Sequence, residues 1–410
     1  MKTTLWVVAL LAGIFLVAAG PDQAPGFPAL GRELLTEVRE HFLDARRGAE
    51  WAKEHAGYAD GIRDRAAFRD ATRSLLTELR TSHTQYYTPD DPGYFDLLAI
   101  FESFLKRDPR TESAGLAATQ QDGSWFVVKV FGGGPAEAAG LKRGDRLVSA
   151  DGETFHPVLS WRGKAGKAVE VHVQSRAGEA PHAIRVTPRL VSPKEEWLED
   201  QRRSSKIFER GGRRIAYSPL WSCAGAEHQE ALEEALQGDL AGADALVIDF
   251  RGGWGGCNPA FVHLFDPAAP DLTSVDRDGA RATFASSWRK PLAVLVDGGT
   301  RSGKEVVSRA LQKSRRAVVV GERTAGAVVA GRIIPLSDGS LLFLAVQDIL
   351  VDGEHLEGVG VKPDVEVPAA LPFAEGRDPQ LEAALGLIPS PLSPALSPVP
   401  GEREKTTPHS

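Results

Sequence analysis

The chain has 410 residues and a formal net charge of −7, with 42% apolar and 25% charged side chains. That length suffices for two or three domains of ~150 residues each and excludes a small disulfide-stapled scaffold. The acidic balance leaves no basic surplus for gripping phosphate backbones, so nucleic-acid binding is disfavoured. The 42 glycines and 27 prolines point to many loops and tight backbone approaches.

Residues 1–20 carry Lys2, an uncharged apolar run and the small residues Ala18, Ala19 and Gly20. This reads as an export signal, shorter than the ~20 apolar residues of a spanning helix, with an uncleaved anchor as the alternative. No later segment is long and apolar enough to cross a bilayer, so the mature chain is expected in the periplasm or outside the cell. Two cysteines remain there, Cys223 and Cys257; an oxidising compartment permits pairing, but sequence does not place them within bridging distance.

Residues 21–108 read as a small helical domain, because Leu34, Leu35, Val38 and Phe42, then Phe68, Ala71, Leu75, Leu76 and Leu79, recur at helical spacing. Residues 109–192 carry short β-rich runs at 125–130, 146–149, 168–174 and 183–187, separated by glycine-rich turns, and form a compact β module. A charged connector is expected over 194–214. Beyond it, buried-strand runs at 245–250, 291–296 and 316–321 alternate with helical stretches at 229–236 and 304–311, which predicts an α/β core over 193–372. The Ser- and Pro-rich stretch 389–410 has too few apolar side chains to offset its ordering entropy and is expected to be disordered.

Three motifs bear chemistry. In the β module, Gly132 to Asp145 sets Pro135 to open a short helix, Gly140 to close it and Asp151-Gly152 to turn between strands. In the core, Asp297-Gly298-Gly299-Thr300-Arg301-Ser302-Gly303 links a strand to an amphipathic helix, a junction that holds a serine out beside free helix-terminal amides. Upstream lies Thr81-Ser82-His83.

In order along residues 70–370, Leu79 to Tyr86, the Gly132–Gly152 stretch, Asp249-Phe250-Arg251-Gly252-Gly253-Trp254-Gly255-Gly256, the Ser302 turn, Val320 to Gly326 and Glu357 to Asp364 together resemble the carboxy-terminal processing (tail-specific) serine proteases and their tricorn-like relatives. The resemblance implies a multidomain α/β fold: a helical amino-terminal domain, a PDZ-like module and a crotonase-like peptidase core. It implies a serine peptidase acting on proteins or peptides, with no metal or cofactor. Gly255 and Gly303 would offer amides to an oxyanion, and the Gly115-Leu116 loop of the PDZ-like module would receive a free peptide carboxylate.

One departure stands out. The processing branch uses a Ser-Lys pair, and this chain has Ala327 at the place of that lysine. Lys304 lies two positions along the helix from Ser302 and faces another direction, so its loss is expected to leave hydrolysis largely intact. The tricorn-like branch uses a serine nucleophile with a Ser-His pair and a glutamate. That pattern implies Ser302 as nucleophile, His83 as general base, and Ser82 and Glu357 as the groups that orient it, with an acidic limb between roughly pH 6 and 7. His355 is a competing imidazole, Asp249 and Arg251 read as a structural ion pair, and Cys257 is the weaker nucleophile candidate. The rival function is an inactive relative that binds peptide or an apolar ligand, since retinoid-binding relatives share such a core.

Overall fold

A computed structural model describes residues 26–105, 109–284 and 287–387; the export signal expected at 1–20 and the tail at 389–410 lie outside the described residues. At its centre is a six-stranded sheet in the order Lys206–Arg210, Arg213–Pro219, Ala245–Asp249, Leu292–Val296, Val318–Gly321 and Val365–Glu366. The first pair is antiparallel and all later pairs are parallel. Every residue of Ala245–Asp249 and Leu292–Val296 is buried. The pleat sends Leu246, Ile248, Val294 and Val296 to one face, against Val307 and Leu311 of helix Gly303–Lys313. It sends Val247, Ala293 and Leu295 to the other, against Ala384 and Leu385 of helix Pro379–Leu387. Cover on both faces is why these strands read as unbroken apolar runs. The loops at their carboxyl ends, 250–257 and 297–303, meet at one edge, where open α/β sheets place their sites.

A second layer joins distant parts of the chain. Helices Phe27–His41, Ala45–Glu54 and Arg65–Thr77 lie beside a three-stranded antiparallel sheet of Gln85–Tyr87, Leu341–Gln347 and Ala330–Pro335. Asp44 and Asp64 cap the second and third helices by accepting hydrogen bonds from the Arg47 and Ala67 N–H groups at 3.0 and 2.8 Å. One core contains Leu30, Leu34, Val38, Phe68 and Leu76 together with Val329, Leu336, Leu342 and Leu344. The expected helical domain therefore shares its interior with strands some 250 residues later in the chain.

The β module has a six-stranded sheet, Leu116–Gln121, Ser124–Val130, Arg146–Ala150, Val169–Gln174 and His182–Val186 in that order with Glu153–Thr154 paired to Arg146–Ala150 off this path, around its own core of Val127, Leu147, Phe155, Trp161 and Val171. Asp151 and Gly152 turn at φ 50° and 85°. Thr111–Ser113 pairs with Arg189–Val191 and ties the module's two ends together.

The charged connector expected over 194–214 is instead helix Pro193–Ser204 followed by the edge strand Lys206–Arg210. Its charge conceals a buried stripe of Glu196, Trp197, Asp200 and Gln201. Asp200 pairs with Lys129 at 3.0 Å and accepts the Gly132 N–H at 2.8 Å, fastening the β module to the core. Gln201 exchanges bonds with His228 in helix Glu227–Gln237: its Nε2 donates to the backbone carbonyl at 2.8 Å and its Oε1 faces the ring Nδ1 at 2.8 Å.

Candidate active site

Ser302 stands between strand Leu292–Val296 and helix Gly303–Lys313 with φ 58° and ψ −130°, a left-handed-side backbone that a non-glycine residue adopts only where its surroundings impose it. Three bonds impose it. The Ser302 N–H donates to the Ala327 carbonyl at 2.7 Å and to the Glu305 carboxylate at 3.1 Å, and the Ala325 N–H donates to the Thr300 carbonyl at 3.0 Å. Ser302 is also the N-cap of that helix and forms a capping box with Glu305.

The loop after strand Ala245–Asp249 presses its glycines onto this turn. A Cβ on Gly255 would lie 2.5 Å from the Ser302 Cβ and 2.9 Å from the Gly303 nitrogen, and a Cβ on Gly303 would lie 2.7 Å from the Cys257 nitrogen. Only glycine lets the two backbones come this close. Neither the Gly255 nor the Gly303 N–H has an acceptor among the described residues. Cys257 is bonded to Cys223, their Cα atoms 4.4 Å apart, and the Cys223 N–H donates to the Gly255 carbonyl at 3.1 Å. Held in that bond, Cys257 offers no thiolate.

Lys304 is fully buried, and its ammonium donates to the carbonyls of Trp221 and Gly252, both at 3.0 Å. Burial lowers its pKa to about 7, with Arg301 and Lys129 adding to the fall against the pull of Asp249 and Asp297. Its task is to hold the glycine loop. Ala327, at the place of the processing-branch lysine, supplies its carbonyl to Ser302 and its N–H to Glu305 at 2.8 Å.

His83 lies just ahead of strand Gln85–Tyr87, 6% exposed, its ring 4.9 Å from that of Phe343. Its Nδ1 is 2.7 Å from the Ser82 hydroxyl, which donates to Glu357 at 3.1 Å; the Ser82 N–H donates to the other Glu357 oxygen at 2.8 Å. Glu357 also accepts the Val328 N–H at 2.8 Å. Because the hydroxyl proton goes to the carboxylate, the remaining Ser82–His83 contact must be donated by Nδ1–H, which assigns the ring's free lone pair to Nε2. Burial pushes the His83 pKa down to about 4, reinforced by Arg301 and opposed by Glu357. The acidic limb expected between pH 6 and 7 is thereby displaced downward: desolvation outweighs the carboxylate. Ser302 and His83 flank one segment, 327–331, but no hydrogen bond joins them; Ser302 meets its start at Ala327, and a Cβ on Gly331 would lie 2.9 Å from the His83 ring.

Residues 214–367 match the family model of peptidase family S41. The chain is 26% identical to a carboxyl-terminal-processing protease of Synechocystis sp. over 93% of each protein. The chain is a relative of the carboxyl-terminal-processing proteases, and its 214–367 segment matches peptidase family S41. It is a serine-type peptidase. Among solved structures, the tricorn protease superposes with a TM-score of 0.55 at 19% identity, over 88% of this chain and 36% of that one. The photosystem II D1 C-terminal processing protease gives a TM-score of 0.50 at 24% identity, over 84% and 94%. At these identities the two superpositions speak for the fold: mixed α/β and multidomain.

In this serine-type peptidase the other candidates separate. Asp249 and Arg251 pair at 2.6 Å, Arg251 also reaches Asp378 at 2.7 Å, and the Tyr217 hydroxyl donates to Asp249 at 2.8 Å. Burial alone would raise Asp249, but the Arg251 guanidinium holds it down at about 2. This clamp anchors the start of the glycine loop to the segment leading into helix Pro379–Leu387. His355 is exposed and pairs with Asp348 at 3.1 Å, away from Glu357. The Gly115 N–H, expected to receive a peptide carboxylate, instead donates to the Ser113 hydroxyl at 2.9 Å, and Leu116 is paired across the sheet with Val130.

Glu305 is a residue that the sequence reading passed over. Fully buried, it accepts hydrogen bonds from the Thr324 hydroxyl at 2.5 Å, the Gly326 N–H at 2.8 Å, the Ala327 N–H and the Ser302 N–H. It thus holds the Ser302 turn against the 324–327 strap. The Ser-x-x-Glu spacing of a capping box was its available signal.

Proposed function

We propose that Ser302 is the acylated nucleophile of an exported peptidase and His83 its general base, oriented through Ser82 by Glu357. The observation that carries this is the relay Glu357–Ser82–His83, which fixes the proton on Nδ1 and leaves Nε2 as the basic nitrogen. Nε2 takes the Ser302 proton as Oγ attacks the substrate carbonyl, and the alkoxide that forms accepts hydrogen bonds from the Gly255 and Gly303 amides. The imidazolium then returns the proton to the departing amine, and a water repeats the sequence to release the acid. Substrate enclosure closes the His83–Ser302 gap, since catalytic hydrogen bonds in free enzymes are commonly long. The Cys223–Cys257 bond supports export, because such bonds persist in oxidising compartments. No helix among the described residues is long and apolar enough to cross a membrane.

A fluorophosphonate probe should label the protein once, at Ser302. Ser302→Ala should abolish labelling and peptide hydrolysis without moving the melting transition, and His83→Ala should remove most of the hydrolysis. Labelling that survives Ser302→Ala overturns the assignment. Absence of labelling in the folded wild-type protein would favour the inactive, ligand-binding alternative.

A further inference from the structure

Helix Pro92–Ile100, strand Leu116–Gln121, the segment 157–161 and helix Pro193–Ser204 enclose a cavity of about 110 Å³. Strand Leu116–Gln121 is the edge of its sheet, bonded on one side only. The cavity's charge is one-sided: Asp96, Glu112 and Glu196 line it, and among the described residues no lysine, arginine or histidine does. Its walls include the indoles of Trp161, Trp197 and Trp221.

Two of the three carboxylates have evident partners. Asp96 accepts the Trp254 indole N–H at 2.8 Å, and Glu112 accepts the Gly163 N–H at 3.1 Å. Glu196 is different. It is 6% exposed; one oxygen accepts the Ser113 hydroxyl at 2.8 Å and the other is buried with no partner. The neighbouring guanidinium, Arg189, lies 3.7 Å from Glu199 instead. Burial pushes both Asp96 and Glu196 up to about 7; the Trp254 bond opposes this at Asp96, while at Glu196 Ser113 and Arg189 oppose it and Asp96 and Glu199 add to it. Buried carboxylates around an open space are stabilised by a cation that enters it, and indole faces attract the same charge. The feature expected of a carboxylate receptor is missing, since the Gly115 amide is already bonded to Ser113 and three acids face the space.

We propose that this cavity takes the cationic side chain of an arginine or lysine carried by an extended peptide along the free edge of strand Leu116–Gln121, with Glu196 as its carboxylate partner. The choice of a peptide as carrier rests on the peptidase reading; the choice of a cation rests on the cavity. Strand addition would give sequence-independent backbone bonds, and the pocket would supply the selection. A charge-assisted Glu196–guanidinium bond within aromatic walls is the contact that a neutral isostere lacks.

The test uses the full-length Ser302→Ala protein, so that binding is read without cleavage. Fluorescein-labelled decapeptides carry one arginine at each of the last four positions, matched by peptides with citrulline at the same place. At one position the arginine peptide should bind about tenfold tighter, a difference of about 1.4 kcal/mol. In the Glu196→Gln background, which keeps an acceptor for Ser113, that ratio should fall below about twofold; Asp96→Asn should reduce it partly. Melting curves show whether each variant is folded. Equal affinities, a preference that survives both substitutions, or no binding of either peptide overturns the proposal. Fluorophosphonate labelling of the wild-type protein stands or falls separately, so failure here is distinguishable from failure of the Ser302 assignment.

Discussion

His83 shows how far a single residue's chemistry departs from its sequence context. A carboxylate in the motif argues for a raised pKa, yet the ring sits against Phe343 with Arg301 nearby, and its pKa falls to about 4. In the proposed mechanism the neutral form is the base, so it is present above that value and lost as pH falls through it. We expect kcat/KM on a peptide substrate to stay level from neutrality down to about pH 5 and to fall near pH 4. Arg301→Gln removes a positive charge that lowers the pKa and should move the limb upward. A wild-type limb at pH 6–7, or a limb that ignores Arg301→Gln, would refute this account. The residue types in the site were legible because Ser302 and His83 stand in short, dense motifs. Their environment was not, since Phe343 reaches the ring from a strand some 260 residues away in the chain, and Arg301 reads there only as part of the Ser302 turn.

The loop 250–257 has no regular structure of its own beyond the end of its strand, and its shape comes from outside attachments. The disulfide to Cys223 fixes one end, the Arg251–Asp249–Asp378 cluster fixes the other, and Lys304 binds the Gly252 and Trp221 carbonyls beneath it. Lys304 therefore differs from the inert control that its sequence position suggested. Lys304→Met keeps most of the volume but leaves two buried carbonyls without their donor, at a cost of about 1–3 kcal/mol each. Because the loop carries the Gly255 amide, kcat should drop on the order of a hundredfold with a smaller change in KM. Stopped assays with thermal melts on the same sample check this; an unchanged kcat in the folded variant would show that the loop holds its shape without the lysine. At this scale strands and helices of the core were readable from period and length, as Ala245–Asp249 and Gly303–Lys313 show. Helix Pro193–Ser204 was not, because its buried stripe includes the acids Glu196 and Asp200, whose partners Ser113 and Lys129 lie in the β module.

The molecule as a whole divides differently from its sequence. The β module keeps a private core: Val127, Leu147, Phe155, Trp161 and Val171 all come from within it, and Thr111–Ser113 closes on Arg189–Val191. The amino-terminal helices have no such independence, since their apolar faces are completed by Val329, Leu336, Leu342 and Leu344. A periodic helical pattern announces a buried face but not what buries it, and pairing between Gln85–Tyr87 and Leu341–Gln347 has no signature in either segment. Two truncations follow from this contrast. Residues 109–192 alone should unfold cooperatively, because that core is complete within the segment, while Phe126 and Phe131, which pack on Phe373 and Trp221, would become exposed. Removing residues 26–108 should expose the strands Ala330–Pro335 and Leu341–Gln347 along a face that the helices cover, and the product should aggregate or lack a melting transition. Adding the helical segment back as a separate chain should not restore a soluble core at ordinary concentrations, since the two parts interleave in one sheet rather than docking as finished bodies. Size-exclusion chromatography and calorimetry on the fragments decide it: a monomeric, cooperatively melting core lacking residues 26–108 would mean that the shared cluster is an interface between two domains, and that His83 is delivered to Ser302 by docking rather than by folding.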